Sequence, residues 1–227
     1  STAWYAEDVG IAYTEGYIMG TTATTFSPNS SVTREQAAVI LARIMMLEPQ
    51  VGENVDFSDS RQMGNWSRGL IAAAADYHIV NGYPDGSFKP KNAITRGAAA
   101  VMIVNAVGTP LQEAGDYSLG NVWGNVTITS SGTTLRDTVI AGNLYVSAGV
   151  DLGHILLENV TVLGEIIVCG GGASESGDDS IVLRNVSADK MVLDNINDQL
   201  VSVRVEGNGT IQETAVRTNA YITDQTA

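Results

Sequence analysis

Residues 57–103 read FSDSRQMGNWSRGLIAAAADYHIVNGYPDGSFKPKNAITRGAAAVMI and have the pattern of a helix, a loop and a second helix. The apolar stripe around Ile71 predicts a helix over 66–77. The loop 81–88 contains Pro-Asp-Gly flanked by a further glycine, which is a strong turn signal. The stretch is therefore predicted to fold as a helix–loop–helix unit.

The second helix of this unit is expected to begin directly after a threonine. Thr95 is a suitable N-cap, and the helix that it caps ends near Asn105. Its counterpart earlier in the chain, Thr33, stands three residues before Gln36, which is the spacing of a capping box. Both second helices therefore have a well-defined predicted start.

The unit is present twice, because the sequence matches itself at an offset of 62 residues without a gap. Rare residue types account for most of the identities, so chance is a poor explanation. The matched pairs are Trp4/Trp66, Ala12/Ala74, Gly20/Gly82, Phe26/Phe88, Pro28/Pro90, Thr33-Arg34/Thr95-Arg96 and Ala37-Ala38/Ala99-Ala100.

An arginine follows the N-cap in both copies, Arg34 in the first and Arg96 in the second. A cation in the first turn opposes the helix dipole, so stability alone does not favour it. Beside free backbone N–H groups it would form an anion site for a carboxylate or phosphate. The alternative is that each arginine pairs with a local carboxylate such as Asp85 or Glu35.

Composition separates this half from the rest of the chain. All five prolines and all three phenylalanines precede residue 111, and residues 1–108 have a net charge of −3 against −10 for residues 109–227. A change this sharp indicates a domain boundary, and Gly108-Thr109-Pro110 is the predicted linker because glycine and proline end helices.

The overall charge limits the classes of partner. Twelve basic and 25 acidic side chains leave a net charge of −13, which argues against a nucleic-acid-binding protein. No apolar run has the length of a membrane span. A single cysteine, Cys169, excludes internal disulfides and cysteine-based zinc sites. Ser1 is not an initiator methionine, which suggests a piece excised from a longer protein.

The second half has the pattern of a parallel β-solenoid. Apolar residues alternate with a period of two from Gly120 onward. A segment of six residues recurs at offsets of 22 and then 26, which predicts stacked coils. Leu135, Leu157 and Leu183 should form an internal column.

One corner of these coils carries a polar residue in every repeat: Asp137, Asn159 and Asn185. A stacked ladder that satisfies backbone groups is the favoured interpretation, and a catalytic acid at Asp137 is the alternative. A carbohydrate-active solenoid enzyme would need clustered carboxylates, for example around Asp137, Glu158 or Asp151. Glu175, Asp178 and Asp179 lie in a glycine-rich insertion and are candidate Ca²⁺ ligands, but their spacing matches no standard loop.

Residues 57–103 closely resemble an S-layer homology repeat. That family has an opening F-x-D, a tryptophan-containing helix, a G-Y-x-D-G-x-F-x-P loop and an I-T-R-A-E helix start. The matching residues are Phe57-Ser58-Asp59, Trp66, the loop 82–90 and Ile94-Thr95-Arg96. Residues 4–47 resemble a weaker copy, in which Ala23-Thr24 replace the Asp85-Gly86 turn, so the second repeat is the stronger candidate for a working site.

The resemblance implies non-covalent attachment to secondary cell-wall polysaccharide of a bacterial envelope. In better-known members the ligand is a pyruvate-ketal sugar whose carboxylate meets the motif arginine, and three repeats usually build the module. The ligand-binding residues that the resemblance and the residues together indicate are Arg96, Arg34, Trp66, Gly82, Tyr83, Asp85 and Thr95. No catalytic residue, metal site or cofactor is expected.

The resulting prediction is a two-domain protein: an all-α module of S-layer homology repeats followed by a right-handed parallel β-helix. The predicted segments are repeats at 1–47 (incomplete at its start) and 55–108, a linker at 109–120 and a β-helix at 121–222. The expected function is a non-catalytic, secreted cell-surface protein, with the β-helix as a spacer, display or S-layer element. The alternatives are a wall-associated carbohydrate-active enzyme and a protein–protein scaffold that self-assembles through a third repeat.

Overall fold

The computed structural model describes residues 3–22, 24–51, 55–172, 181–195 and 199–226. The chain divides into two compact units, Ser1–Ala106 and Val107–Ala227. The first unit is helical, and the second is built from parallel β-strands that form a solenoid of about five turns. Among the described residues, no helix is both long enough and apolar enough to cross a membrane.

The helical unit contains α1 (Ala6–Thr14), α2 (Arg34–Ile44), α3 (Asn65–Asp76) and α4 (Arg96–Val107), with a short 3-10 turn at Ser60–Gln62. The helices predicted over 66–77 and after Thr95 are therefore found at nearly the expected positions. Helix α2 packs against α3. The fully buried side chains of this unit include Ala38, Val39, Ala42, Ile71, Ala74, Ile79 and Phe88.

The 62-residue repeat is also a repeat of backbone conformation. Residues with a left-handed φ recur at the same offset: Gly16 and His78 after the first helices, Ser27 and Lys89 in the loops, and Met46 and Gly108 after the second helices. Non-glycine residues adopt this conformation infrequently, so its recurrence shows that the two copies turn in the same way at these three positions.

Both predicted threonine caps are present. Thr33 Oγ1 accepts from the Gln36 amide at 3.3 Å, and Gln36 Oε1 accepts from the Thr33 amide at 2.9 Å, which completes the capping box. Thr95 Oγ1 accepts from the Ala98 amide at 3.2 Å. The start of each second helix is thus set by local sequence.

Within the described ranges the solenoid contains eleven strands, and all of their pairings are parallel. They are β1 (Thr109–Leu111), β2 (Gly115–Val122), β3 (Val126–Ile128), β4 (Thr133–Ile140), β5 (Leu144–Val146), β6 (Ile155–Val168), β7 (Ile181–Arg184), β8 (Ser187–Leu193), β9 (Val201–Gly207), β10 (Ile211–Val216) and β11 (Ala220–Thr226). Leu135, Leu157 and Leu183 lie in register and are fully buried, which confirms the predicted column.

The corner residues form the predicted ladder. Asn159 Nδ2 donates to Asp137 Oδ1 at 3.0 Å, Asn185 Nδ2 donates to Asn159 Oδ1 at 2.9 Å, and the Asn208 amide donates to Asn185 Oδ1 at 3.0 Å. Asp137, Asn159 and Asn185 all have a left-handed φ. Asparagine and aspartate tolerate that conformation better than other side chains, which explains their place at this corner.

A second ladder, inside the solenoid, was not predicted. Asn125 Oδ1 accepts from the Asn143 amide, and Asn143 Oδ1 accepts from the Glu165 amide, both at 2.8 Å. A Cβ at Gly142 or Gly164 would lie within 2.4 Å of these two oxygens. The buried asparagines therefore require glycine at both positions, because a side chain there would collide with their oxygens.

The predicted linker at 109–120 differs from the structure. Residues 109–111 form β1, which pairs in parallel with β3, and most of the remaining segment belongs to β2, which pairs with β4. Proline lacks an amide donor but is tolerated in an edge strand, and β1 is at the end of the sheet. Pro110 therefore begins the solenoid instead of separating it from the helices.

Candidate functional site

The start of helix α2 meets the loop of the second repeat, and this meeting forms the best-defined polar site of the helical unit. Arg34 is only 7% exposed and donates from Nη2 to the Asn81 carbonyl at 2.8 Å. Its guanidinium carbon lies 4.8 Å from the centre of the Tyr83 ring and 4.9 Å from that of Phe88. The arginine of one repeat is thus enclosed by aromatic residues of the other.

The backbone amides at the start of α2 are already occupied. The Arg34 amide donates to the Asn92 carbonyl at 2.8 Å, and the Glu35 amide donates to the Pro90 carbonyl at 3.1 Å. The prediction that free amides assist the arginine in holding an anion is therefore wrong at α2, because the second repeat supplies acceptors for these amides.

Glu35 anchors the same junction from the next position of the helix. Its side chain is 3% exposed and accepts from the Gly64 amide at 3.1 Å and from Ser67 Oγ at 3.2 Å. Lys91 Nζ donates to the other carboxylate oxygen. Glu35 therefore joins α2 to the start of α3 and to the loop after Phe88.

Arg34 does not pair with either carboxylate that the sequence offered. Glu35 is paired with Lys91, and Asp85 is paired with Lys89 at 3.3 Å. Among the described residues only Nη2 of Arg34 has an acceptor, and the buried Nε has none. Burial lowers the pKa of Arg34 from its ordinary value, but arginine remains protonated in proteins. A partly unsatisfied cation is left at the junction.

Tyr83 and Lys89 form the accessible rim of this site. Lys89 Nζ lies 4.2 Å from the centre of the Tyr83 ring, and Tyr83 is 37% exposed. The ring thus has cations near it from two positions, Arg34 and Lys89, which suits its negative face. An anion that reaches this rim would meet positive charge on an aromatic surface.

The loop is held in shape by its own hydrogen bonds. Asp85 Oδ1 accepts from the Ser87 amide at 3.0 Å and from the Ser87 hydroxyl. These bonds, with a smaller contribution from Lys89, lower the pKa of Asp85 to about 2. Asp85 therefore shapes the loop and is ionised at any ordinary pH.

The segment Phe57-Ser58-Asp59, which is the opening F-x-D of the repeat, packs against the loop 81–88 and stabilises it. Asp59 accepts from the Phe88 and Lys89 amides, each at 2.8 Å, and the Phe57 and Phe88 rings stack with centres 5.2 Å apart. A Cβ on Gly82 would lie 2.9 Å from the Phe57 ring. Gly82 is thus required for packing, whereas Asp59 and Phe88 position the site.

The second helix start has no such enclosure. Arg96 and Thr95 are exposed, and the Arg96 side chain has no hydrogen bond or ion pair with any residue in the described part of the chain. Trp66 is 54% exposed, and its indole lies over Gly64, where a Cβ would be 2.3 Å from Nε1. The structure thus brings together Arg34, Tyr83, Gly82 and Asp85, and it places Arg96 and Thr95 elsewhere.

Sequence reasoning did not name Phe88, Lys89, Asn81 and Lys91 as site residues. The alignment of the two repeats matches Phe88 with Phe26, but the contact of Phe88 with Arg34 joins one repeat to the other. The offset relates equivalent residues and carries no information about which repeats touch. Asn81 contributes only a backbone carbonyl, for which no side-chain signal exists.

One register of the solenoid carries a column of alternating charges. Arg136, Glu158, Arg184 and Glu206 occupy one register in successive coils. Arg184 contacts Glu158 and Glu206 at 3.0 Å each, and Arg136 lies 3.8 Å from Glu158. The hydrogen bonds that Arg184 donates to these two glutamates raise the pKa of Arg184.

No group of three or more histidine, cysteine, aspartate and glutamate side chains is placed to hold a metal ion within the described ranges. Glu175, Asp178 and Asp179, weighed above as Ca²⁺ ligands, lie outside those ranges. Burial raises the pKa of the Cys169 thiol to about 11. A thiol that stays protonated is a poor nucleophile.

Comparison with known proteins bears on the helical unit. The model of the S-layer homology domain matches residues 1–38 and 56–100. A surface layer protein of Brevibacillus choshinensis is 33% identical over 114 residues, which cover 49% of this chain and 10% of that protein. A cellulosome-anchoring protein of Acetivibrio thermocellus is 34% identical over 80 residues, or 34% of this chain and 18% of that protein.

Enzymes are also among the relatives. An amylopullulanase of Thermoanaerobacterium thermosulfurigenes is 39% identical over 104 residues, which cover 44% of this chain and 6% of the enzyme. The similarity to the enzymes is confined to the S-layer homology region. The chain thus spans less than a fifth of each of these three relatives. The match indicates association with a cell surface or cell wall, and the chain is an S-layer homology domain protein.

Proposed function

We propose that the helical unit attaches the protein non-covalently to a secondary cell-wall polysaccharide at the bacterial cell surface. The binding site is the junction of the two repeats, where Arg34 faces Tyr83 and Lys89. The single observation that carries this proposal is the buried Arg34 guanidinium, whose Nε has no acceptor among the described residues although the side chain lies beside an exposed aromatic rim.

The chemistry of the junction suits a carboxylate on an apolar carbon. Arginine binds carboxylates through planar, charge-assisted hydrogen bonds. Tyr83 provides an aromatic surface for the methyl group of a pyruvate ketal and for a sugar ring. Lys89 supplies a second cation at the rim, 4.2 Å from the ring centre. A pyruvylated sugar is therefore the ligand class that we propose.

We propose further that the solenoid is a non-catalytic spacer, display or S-layer element, with right-handed coils as in nearly all parallel crossover connections. Two of the three carboxylates that are candidates for catalysis make structural contacts, and these contacts support the non-catalytic role indirectly. Asp137 belongs to the corner ladder, and Glu158 pairs with Arg136 and Arg184. An acidic surface keeps such a module soluble outside the cell.

The test is sedimentation of the full chain with purified Gram-positive cell-wall sacculi. Arg34→Ala is expected to weaken binding by about tenfold to a hundredfold, because a hydrogen bond to a charged group contributes about 1.5–3 kcal/mol. Arg96→Ala is the matched control and should bind as the wild type does. Sacculi stripped of the polysaccharide, or treated with mild acid to remove ketal-linked pyruvate, should not bind.

Two rim variants keep the test decisive if Arg34→Ala unfolds the junction. Tyr83→Ala and Lys89→Ala alter exposed side chains and should retain the far-ultraviolet circular dichroism of the wild type while binding less well. Binding that is lost with Arg96→Ala and retained with Arg34→Ala would move the site to the second helix start. Binding to stripped sacculi would overturn the polysaccharide as ligand.

A further inference from the structure

The rim of the proposed binding site carries an anion of its own beside its cations. Lys89 Nζ lies 3.3 Å from Asp85 Oδ2 and 4.2 Å from the centre of the Tyr83 ring. Asp85 is the more exposed partner, with 58% of its side chain accessible against 38% for Lys89. An anionic ligand that approaches Lys89 therefore meets the Asp85 carboxylate as well.

The first repeat forms the equivalent turn without this ion pair. It has Thr21, Ala23 and Ser27 at the places of the tyrosine, the aspartate and the lysine. Thr21 Oγ1 and Ser27 Oγ share a neutral hydrogen bond at 3.0 Å. Ser27 nevertheless has φ 56°, close to the φ of 60° at Lys89. The left-handed turn therefore does not require a charged pair, which suggests that the pair of the second repeat serves binding.

The charges that adjoin the loop 81–88 largely compensate one another. Lys91 pairs with Glu35, and Lys89 pairs with Asp85. Asp59 uses one oxygen for the Phe88 amide and the other for the Lys89 amide, both at 2.8 Å. The buried guanidinium described above, which has no carboxylate partner among the described residues, is the cation that is left for a ligand.

We propose that Asp85 sets the charge selectivity of this site: it allows one carboxylate to bind and disfavours groups that carry two negative charges. The inference rests on the proposed function, because it concerns the ligand class of the same site. A single carboxylate needs only Arg34 as its cation. A second charge would need Lys89, which Asp85 already neutralises, and it would be repelled by Asp85.

The size of the effect follows from Coulomb's law. The repulsion between Asp85 and the ligand is proportional to the charge of the ligand. Removal of the Asp85 charge should therefore change the binding free energy of a doubly charged ligand twice as much as that of a singly charged one. Because the pair is exposed and screened, the expected gain is about threefold for a single charge and about tenfold for a double charge.

The alternative role of Asp85 is a direct contact with the ligand, as the loop motif predicted. A carboxylate that accepts a hydrogen bond from a sugar hydroxyl forms a stronger bond than a neutral amide does. Asp85→Asn separates the two roles, because Oδ1 remains to accept from the Ser87 amide and hydroxyl. It should strengthen binding if Asp85 repels the ligand and weaken binding if Asp85 contacts it.

The experiment is isothermal titration calorimetry of the full chain at pH 8 and low salt. The probes are a methyl hexoside with a pyruvate ketal, the methyl hexoside 6-phosphate, and the methyl phosphodiester of that phosphate. Only the phosphomonoester carries about two charges at this pH. The wild type is expected to bind the ketal, and to bind the phosphodiester more tightly than the phosphomonoester. Asp85→Asn should raise the affinity for the phosphomonoester about threefold more than the affinity for the other two.

Two further variants control the result. Glu213→Gln removes the same charge from an exposed position of the solenoid strand β10 and should leave all affinities unchanged. Lys89→Gln leaves Asp85 without its counter-ion, so it should weaken binding of all three probes and that of the phosphomonoester most. The opposite signs at the two members of the pair are the signature of a charge effect. Circular dichroism checks that each variant is folded.

The outcomes separate this inference from the proposed function. If the wild type binds the ketal but Asp85→Asn weakens binding of every probe, Asp85 is a ligand contact and the selectivity role is overturned. Equal gains for the singly and doubly charged probes would overturn it as well. In both cases attachment through the pyruvylated sugar stands. A wild type that binds neither the ketal nor the sacculi would overturn the proposed function together with this inference.

Discussion

The two helix starts, Thr33-Arg34 and Thr95-Arg96, have the same two residues and a threonine N-cap but different surroundings. Arg34 is enclosed by Tyr83 and Phe88, and its amide has an acceptor in the second repeat. Arg96 is exposed. The difference shows that a repeat carries only part of a site: the helix start comes from one repeat, and the loop that completes it comes from the next.

Replacement of Glu35 should give the largest difference in the free energy of unfolding between the two helix starts. Glu35→Ala leaves the Gly64 amide and Lys91 without their buried acceptor, and we expect a loss of about 2–3 kcal/mol in the free energy of unfolding. The equivalent Gly97→Ala should stabilise by about 0.5–1 kcal/mol, because its Cβ would meet no atom within 4 Å and glycine is a poor helix former.

Urea unfolding followed by circular dichroism of the helical signal measures both changes. Equal effects of the two substitutions would mean that the junction around α2 is not specifically stabilised by the buried carboxylate.

Helices α2 and α4 also differ in packing, and substitutions that test this difference should have a smaller effect on the free energy of unfolding. Ala38 is fully buried at the contact of α2 with α3, and its counterpart Ala100 is exposed. Ala38→Leu should destabilise by about 1–3 kcal/mol through overpacking, whereas Ala100→Leu should change stability by less than about 0.5 kcal/mol. Thermal unfolding of the two variants at low protein concentration checks this. A destabilised Ala100→Leu would show that α4 is covered in the monomer.

The loop of the second repeat carries an ionisable group, Asp85, that the first repeat lacks, and this gives the smallest expected effect. Asp85 has a pKa of about 2 instead of 3.8, and the first repeat has alanine at that place. Because the pKa is lowered, its stabilising contribution is complete above pH 3.8 and is lost as the pH falls toward 2. Sugar binding should therefore not change between pH 4 and pH 8 on account of Asp85.

Carboxyl-carbon NMR titration measures this pKa directly. Ser87→Ala removes the hydroxyl that donates to Asp85 and should raise the pKa toward the ordinary value, while Ser60→Ala, outside the loop, should leave it unchanged. An Asp85 pKa near 3.8 in the wild type would contradict the hydrogen-bonded loop.

The solenoid was the more predictable half, and its residues show why. Leu135, Leu157 and Leu183 contact one another across consecutive coils, so the offset in sequence is also the offset in space. The corner ladder of Asp137, Asn159 and Asn185 follows from the same geometry. The linker prediction failed because Pro110 ends helices and central strands but not an edge strand, and the sequence does not show which strand is at the edge.

In the helical unit, the elements were predictable and the site was only partly so. Thr33 and Thr95 were recognised as caps, because capping is a contact between near neighbours in the chain. Tyr83, Gly82 and Asp85 were recognised as loop residues from the family motif. Their assignment to Arg34, on the other side of a repeat boundary, needed the packing of α2 on α3.

The sequence by itself determined what depends on neighbouring residues: the helix–loop–helix repeat, the threonine caps, the family and the stacked coils with their polar corner. The tertiary structure alone decided which arginine is enclosed, that the amides of α2 are already occupied, and that α4 presents an apolar face. These properties depend on contacts between residues about 50 positions apart. No local pattern encodes such contacts, because they arise only when one repeat packs against another.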